Sequence, residues 1–374
     1  MSRTDRLQTW LPKVAEAALL GDSKKLEIVL VKAIRALKGH SPETCKQLGE
    51  LLAEHSTNPN GLRWKASGPP PVDADEGFAL VRSDSTDDVP LPVMSPPIMK
   101  RVEQFVSERK GCKRLLEQGF LPPGSVLLTG APGTGKTMLS RWMAQRLELP
   151  FVTLDLATSI SSFLGKTGFN LRRALDYARS RPCVLLLDEF DAIAKRRDDD
   201  SEVGELKRIV NVLLKELEDW PLQSVLIAAT NHPELLDKAI ERRFDIVIDI
   251  PLPGDDERIE ILRQSGRQFS DKIPAELLHA LAIGLEGTSG SELDSLMSAA
   301  VRQHLAGEQE LVKSLIEEFQ LRLSERLTGQ SLGAVLRSVQ ANAKGLYKVR
   351  DLAELFGKAP STIQHHLKKE VQHG

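Results

Sequence analysis

With 374 residues, 41% of them hydrophobic and 27% charged, the chain has length for two or three domains and the composition of an ordinary soluble protein. A formal net charge of −2 argues against a globally basic nucleic-acid binder, while a local basic patch stays open. Three cysteines at unrelated spacings, Cys45, Cys112 and Cys183, give no disulfide or metal framework and suit a reducing, cytoplasmic setting. The N-terminus carries no signal pattern, and no run approaches the roughly 18 apolar residues that a membrane span requires, so no membrane partner is expected.

Residues 1–56 read as three short amphipathic helices. Leu7, Trp10, Leu11, Val14 and Ala18 recur at helical spacing in the first. Leu26, Val29, Leu30, Ile34 and Leu37 do so in the second, and Leu48, Leu51 and Leu52 in a third that starts after Ser41, a plausible N-cap. Such stripes make a small helical core; the alternative use is a surface that recruits a partner helix. Residues 57–75, with Asn58-Pro59-Asn60-Gly61 and Gly68-Pro69-Pro70-Pro71, read as a linker. Asp84 to Asp88 then suggests an exposed loop, Val102 to Leu116 a helix, and Leu121-Pro122-Pro123-Gly124 a turn.

The strongest signal follows. The apolar run Val126 to Leu128 enters Gly130-x-x-x-x-Gly135-Lys136-Thr137 and then the helical pattern Met138 to Leu147. This strand, glycine-rich loop and helix form a triphosphate cradle. Its glycines let backbone N–H groups turn toward phosphate oxygens, and the helix adds its positive end. Gly130, Pro132, Gly133, Thr134, Gly135, Lys136, Thr137 and Met138 are the expected contacts to a nucleoside triphosphate, with Lys136 on the β- and γ-phosphates and the Thr137 hydroxyl on Mg²⁺.

Further strands, Phe151 to Leu154, Val184 to Leu187, Val225 to Ala229 and Ile246 to Ile250, alternate with helical patterns and predict a parallel sheet covered on both faces. Val184 to Leu187 ends in Asp188-Glu189, carboxylates placed where open α/β sheets bind ligands. Asp188 is expected to hold Mg²⁺ through water, and Glu189 to act as general base on the attacking water. Asn231, after the next strand, offers an amide to the γ-phosphate or the water. Arg242-Arg243 would supply the planar cation that phosphoryl transfer needs, or serve simply as a solvated pair at a helix end.

In this order and spacing, the phosphate loop, Asp188-Glu189, Asn231 and Arg242-Arg243-Phe244-Asp245 resemble the AAA family of the AAA+ ATPases over roughly residues 120–300. The resemblance implies an α/β P-loop fold with a five-stranded parallel sheet and a helical lid. It also implies a ring, usually hexameric, with ATP at subunit interfaces. Asn231 then stands at the sensor-1 position, and Arg242 and Arg243 are paired arginine fingers lent to the neighbouring subunit. Thr288-Ser289-Gly290-Ser291-Glu292-Leu293 is similar to the lid segment that contacts adenosine, which adds Gly290 and Ser291 to the nucleotide set. Phe163-Leu164-Gly165 occupies the place of the pore loop that grips an extended polypeptide; Phe163 can alternatively pack against the sheet. The chain departs from the family in three ways. The upstream adenine-pocket motif is replaced by Val93-Met94-Ser95-Pro96-Pro97, the pore segment lacks a following acidic residue, and only one nucleotide domain is present.

Residues 346–369 are similar to a helix-turn-helix, with Ala353 at the close contact, Gly357 at the turn, and Ile363 and Leu367 inward. Ser361, Thr362, Gln364, His365 and His366 would face DNA if this module binds it; a protein dock is the other use. Residues 344–374 hold six Lys/Arg against three acids, a modest surplus. The expected organisation is therefore an N-terminal helical domain (1–56), a linker (57–90), the nucleotide domain (91–253), the lid (254–330) and the C-terminal module (331–374). The expected activity is ATP hydrolysis by a ring that remodels or threads a protein. A DNA-associated regulatory ATPase and a nucleotide-gated scaffold for an effector are the alternatives. The single-ring layout is similar to bacterial AAA ATPases paired with a subtilisin-like protease in plasmid-maintenance or antiviral defence loci, and no protease motif occurs in this chain.

Overall fold

A computed structural model describes residues 3–20, 23–37, 41–56, 81–86, 89–157, 167–192, 220–307, 310–326, 329–342 and 347–368. The chain divides into two units. The first holds residues 1–92, 96–130 and 136–250, and the second holds 93–95, 131–135 and 251–374.

Five parallel strands organise the first unit: β2 (Ser125–Thr129), β3 (Phe151–Asp155), β4 (Val184–Asp188), β5 (Val225–Thr230) and β6 (Ile246–Asp249). Every residue of β2 and β5 is buried, as expected of strands covered on both faces, which read as continuous apolar runs rather than alternating ones. The sheet has a sixth strand that the sequence reading did not foresee, its last residue, Asp84, opening the stretch expected to be a loop. β1 (Arg82–Asp84) pairs antiparallel with β3, and the spatial order is β1-β3-β4-β5-β2-β6. Its three residues, Arg-Ser-Asp, have no apolar alternation, so only the pairing itself defines the strand. Asp84 is further held by Arg141, 3.0 Å away on helix α6 (Lys136–Leu147).

Three helices open the chain: α1 (Arg3–Leu19), α2 (Ser23–Leu37) and α3 (Pro42–Ser56). In α1 the inward face is narrower than its apolar pattern suggests. Ala17 is buried and Trp10 and Val14 half-buried, while Leu11 (71% exposed) and Ala18 face outward. Leu51 in α3 is likewise exposed, while Leu52 is buried as expected and Cys45 is buried beside it in the same cluster. Helices α4 (Pro96–Lys110) and α5 (Cys112–Glu117) follow β1, and α3 packs against α5. Val31, Ile34, Leu37, Cys45 and Leu52 share one apolar cluster with Leu116 and Leu222, so the N-terminal helices and the α/β layers have a common core. The Glu27 carboxylate accepts from the Leu222 N–H (3.1 Å), and buried Arg109 donates to the carbonyls of Leu222 (2.7 Å) and Ser224 (3.3 Å). Helix α7 (Thr167–Arg179) covers the sheet between β3 and β4, and the short α8 (Lys238–Glu241) precedes β6.

The second unit is helical: α9 (Asp255–Gly266), α10 (Ala275–Gly284), α11 (Gly290–Leu305), α12 (Leu311–Arg326), α13 (Gly329–Asn342), α14 (Val349–Leu355) and α15 (Pro360–Lys368). One apolar cluster runs from Ile259 to Ile363 through all seven helices. Phe356, at the end of α14, meets Phe319 of α12 edge to face (5.6 Å, 78°), and Gln320 donates to the Glu354 carbonyl (2.6 Å). The turn between α14 and α15 falls at Gly357, as its left-handed φ of 60° requires. Ala353 and Ile363 are buried and Leu367 is half-buried, the inward set expected of the helix-turn-helix.

Candidate functional site

The phosphate loop leaves β2 at Gly130 and ends at the first residue of α6. Gly130, Gly133 and Gly135 take φ of 142°, 76° and 95°, values that L side chains rarely adopt, so the loop can curl with its N–H groups inward. Lys136 is buried and its ammonium donates to the Gly130 carbonyl across the base of the loop (2.8 Å). Burial pulls this lysine below its ordinary range, and the nearby Asp188 and Asp191 pull it back up. Thr134 closes the turn through its hydroxyl to the Ala131 carbonyl (2.9 Å). Pro132 and Met138 are exposed, Met138 at the start of α6.

Sheet order brings the remaining groups of the first unit to the same edge. β5 lies between β2 and β4, so the carboxyl ends of these three strands are adjacent. β2 leads through the loop to Thr137, the second residue of α6, β4 delivers Asp188-Glu189 and β5 delivers Asn231. The Thr137 hydroxyl donates to Asp188 Oδ2 at 3.2 Å, and the other carboxylate oxygen accepts from the Glu189 N–H (3.0 Å). Glu189 has a left-handed φ of 53°, strained for a non-glycine residue, and its side chain is exposed. A hydroxyl and a carboxylate this close are hard oxygen donors of the kind Mg²⁺ takes, one or two from protein and the rest from water and phosphate. Among the described residues no cluster of three or more His, Cys, Asp or Glu could hold a metal by itself.

Arg242 and Arg243 are both exposed, at the end of α8, whose first turn is capped by Asp237 accepting from the Ala239 N–H (2.8 Å). The next two residues fasten the pair. Phe244 is buried edge to face on Phe190, the neighbour of Glu189 (5.8 Å, 81°). Asp245 accepts from the N–H groups of Gly124 (2.7 Å) and Ser125 (3.0 Å) and from the Ser125 hydroxyl (3.0 Å). Sequence reading missed Phe190, Asp191 and Thr230, whose only signal was adjacency to residues already singled out, and it gave Asp245 as part of the arginine motif without a role.

In the second unit the loop tip and α11 meet. Gly133 O accepts from the Ser291 N–H (3.1 Å), and a Cβ on Gly133 would lie 2.8 Å from the Ser289 hydroxyl. A Cβ on Gly290 would come to 3.2 Å from the Gly133 carbonyl, so small residues are needed on both sides. Ser289 and Glu292 form a capping box that fixes the start of α11. Two other expectations stand apart from this cluster. Phe163, Leu164 and Gly165 lie outside the described residues. On α15, Ser361, Gln364 and His365 are exposed, and Thr362 and His366 half-buried.

The family model for the ATPase family associated with various cellular activities (AAA) matches residues 126–252. The AAA family ATPase y4kL of Sinorhizobium fredii is 31% identical over 290 residues, which span 77% of this chain and 82% of that protein. The chain belongs to the AAA family of ATPases. This AAA ATPase is accordingly an ATP hydrolase with a P-loop α/β fold. It is also 39% identical over 191 residues to the proteasome-activating nucleotidase of Aeropyrum pernix, covering 49% of this chain and 46% of that one. It thus spans about half the length of that relative. The crystal structure of the FIGL-1 AAA domain superposes with a TM-score of 0.54 at 23% identity, over 71% of this chain and 91% of that one, a likeness of fold. Residues 339–369 match a second family model, that of bacterial regulatory proteins of the arsR family. No helix among the described residues is long and apolar enough to cross a membrane.

Proposed function

We propose that this ATPase works as a ring, in which each nucleotide is held by one protomer and completed by the arginines of the next, and that the ring remodels or threads a protein partner. The observation that carries this reading is the meeting of Lys136, Thr137, Asp188, Glu189 and Asn231 at one sheet edge, while Arg242 and Arg243 stand exposed on a firmly anchored corner. Phe244 and Asp245 anchor the backbone next to this exposed pair, which supports reading it as a cation offered to a neighbour.

In this reading Lys136 and the loop N–H groups bind the β- and γ-phosphates, and Gly290 and Ser291 lie against the nucleoside. Thr137 and Asp188 would hold Mg²⁺, which neutralises phosphate charge when bound. Glu189 takes the proton of the attacking water, and Asn231 orients that water or the γ-phosphate. Arg242 and Arg243 meet the charge that develops on the phosphoryl group of the neighbouring site. Phe163-Leu164-Gly165 supply the grip on polypeptide. Resemblance to a proteasome-activating nucleotidase supports a protein as the object of the work.

The test is complementation between two inactive variants. Glu189→Gln lacks its own base but keeps its arginines; the Arg242→Ala/Arg243→Ala double variant keeps its base but cannot complete a neighbour. Mixed together they regain ATP hydrolysis, because some junctions then combine an intact base with intact arginines. No recovery on mixing, or full activity of the double variant as a monomer, would refute the shared site.

A second reading is favoured by the arsR-family match over residues 339–369 and by the exposed Ser361, Gln364 and His365: the C-terminal helices target DNA. Gel-shift titration against salt tests it, since binding through phosphates weakens steeply as salt rises.

A further inference from the structure

Two residues beyond Glu189 lies a second carboxylate that the roles above leave unused. Asp191 is buried, with only 3% of its surface exposed. Its Oδ1 accepts from the Thr230 hydroxyl (3.1 Å) and from the Asn231 N–H (3.3 Å). The Thr230 hydroxyl oxygen in turn accepts from the His232 N–H (3.0 Å). Just upstream, the Phe190 N–H donates to the Ala229 carbonyl (2.9 Å). The chain leaving β4 and the chain leaving β5 are therefore tied together immediately after Glu189 and at Asn231.

A buried carboxylate is costly unless its lone pairs are used, and an apolar residue of similar size would fill the space more cheaply. Two of its donors, the Thr230 hydroxyl and the Asn231 N–H, lie on either side of the peptide bond that leads to Asn231, and two residues before Asp191 stands Glu189 in its strained left-handed conformation. A φ of this kind persists only where the surroundings over-determine it.

We infer that Asp191 is a positioning residue for ATP hydrolysis: it locks the peptide from which Asn231 presents its amide and, through Phe190, the backbone from which Glu189 presents its carboxylate. This rests on the roles assigned above to Glu189 and Asn231. In this role Asp191 acts through the peptides around it, fixing the relative position of the two groups assigned to phosphate and water. Displacement of such groups by about 1 Å is enough to cost turnover on the order of 100-fold. A residue that served the fold alone would weaken nucleotide binding and turnover together.

The experiment compares Asp191→Ala, Asp191→Asn, Thr230→Val, the Asp191→Ala/Thr230→Val double variant, Glu189→Gln and Asn231→Ala in the full chain. It measures kcat and KM for Mg·ATP, and the affinity for a fluorescent ADP analogue. Asp191→Ala lowers kcat roughly 10- to 100-fold with ADP affinity held within about twofold. Asp191→Asn keeps an acceptor oxygen and recovers most of that loss. Thr230→Val, nearly isosteric, lowers kcat roughly 3- to 10-fold, and the double variant is no worse than Asp191→Ala, because both changes remove the same hydrogen bond. Wild-type turnover in Asp191→Ala and Thr230→Val, with Glu189→Gln and Asn231→Ala inactive, overturns the inference alone. So does a parallel loss of ADP affinity and kcat that Asp191→Asn fails to rescue. Full activity in Glu189→Gln and Asn231→Ala overturns the site roles and the inference with them.

Discussion

Replacing Gly49 by alanine sets two well-known effects against each other. Gly49 lies inside α3, where alanine is preferred over glycine by about 1 kcal/mol, so helix propensity alone makes the variant more stable. The packing argues the other way. A Cβ at Gly49 would fall 2.9 Å from the Leu116 carbonyl carbon, closer still to its oxygen, and 3.4 Å from Gly119 Cα. These are backbone atoms of α5 and the turn after it, which cannot rotate aside. Gly119 answers from the other side: at φ 73°, its own Cβ would meet the Lys46 nitrogen at 2.9 Å. The two segments must separate by roughly 1 Å, which forfeits a quarter to a half of the contact energy across the seam. Leu48, Leu52, Leu116 and Leu222 line that seam, each worth about 1.5–3 kcal/mol when buried. The loss is then about 1.5–6 kcal/mol, and after the helix gain the net destabilisation is about 0.5–5 kcal/mol. Urea unfolding followed by tryptophan fluorescence reads it through Trp10 and Trp220, and Gly49→Ala moves the midpoint down while ADP affinity stays unchanged. A midpoint that moves up would show that α3 does not approach α5 this closely.

Arg109→Met keeps the stem of the side chain and leaves the carbonyls of Leu222 and Ser224 without their buried donor; the expected cost is about 2–4 kcal/mol in the same unfolding assay. Burial pushes the Cys183 thiol up to about 12 from 9.0. A raised thiol contributes stability that is fully present below pH 9 and is lost as pH climbs toward 12, because the unfolded chain ionises first. Relative to Cys183→Ala, the wild type therefore loses up to about 1.4 kcal/mol per pH unit across that window, measured by unfolding at stepped pH. At pH 8 a chromogenic disulfide reagent labels half-buried Cys112 first, and Cys45 and Cys183 only after denaturation. Ending the chain at residue 342 removes Leu352, Leu355, Phe356 and Ile363 from the core of the second unit, about 6–12 kcal/mol of burial. The truncated chain is expected to unfold at lower temperature and to bind a hydrophobic dye, whereas a freely appended module would come off without either effect.

What the sequence disclosed follows the strength of its local patterns. Continuous apolar runs located the five parallel strands to within a residue or two at each end, because strands buried on both faces have no polar interruptions. Glycine and proline placed the phosphate loop and the turn at Gly357, where chain geometry admits few other residues. Contacts distant in sequence were silent. β1 is three polar residues recognisable only beside Phe151 to Thr153, and Gly49 gives no sign that it faces Leu116. Of the candidate site, Lys136, Thr137, Asp188, Glu189 and Asn231 were readable from types and order, while Asp191 and Asp245 needed the hydrogen bonds themselves. Leu11 and Leu51 misled because an apolar stripe states which residues are able to be inside, not how wide a face its neighbour covers.

The two margins of the sheet bear on how this protein behaves when concentrated. One is β1, only three residues long, with an arginine and an ion-paired aspartate; the other is β6, four residues ending in Asp249, whose carboxylate already takes the Thr129 hydroxyl. Neither is the long, flat, greasy ribbon on which foreign strands stack into fibrils. Crowded copies of this sheet are thereby steered away from amyloid-like accretion at its edges.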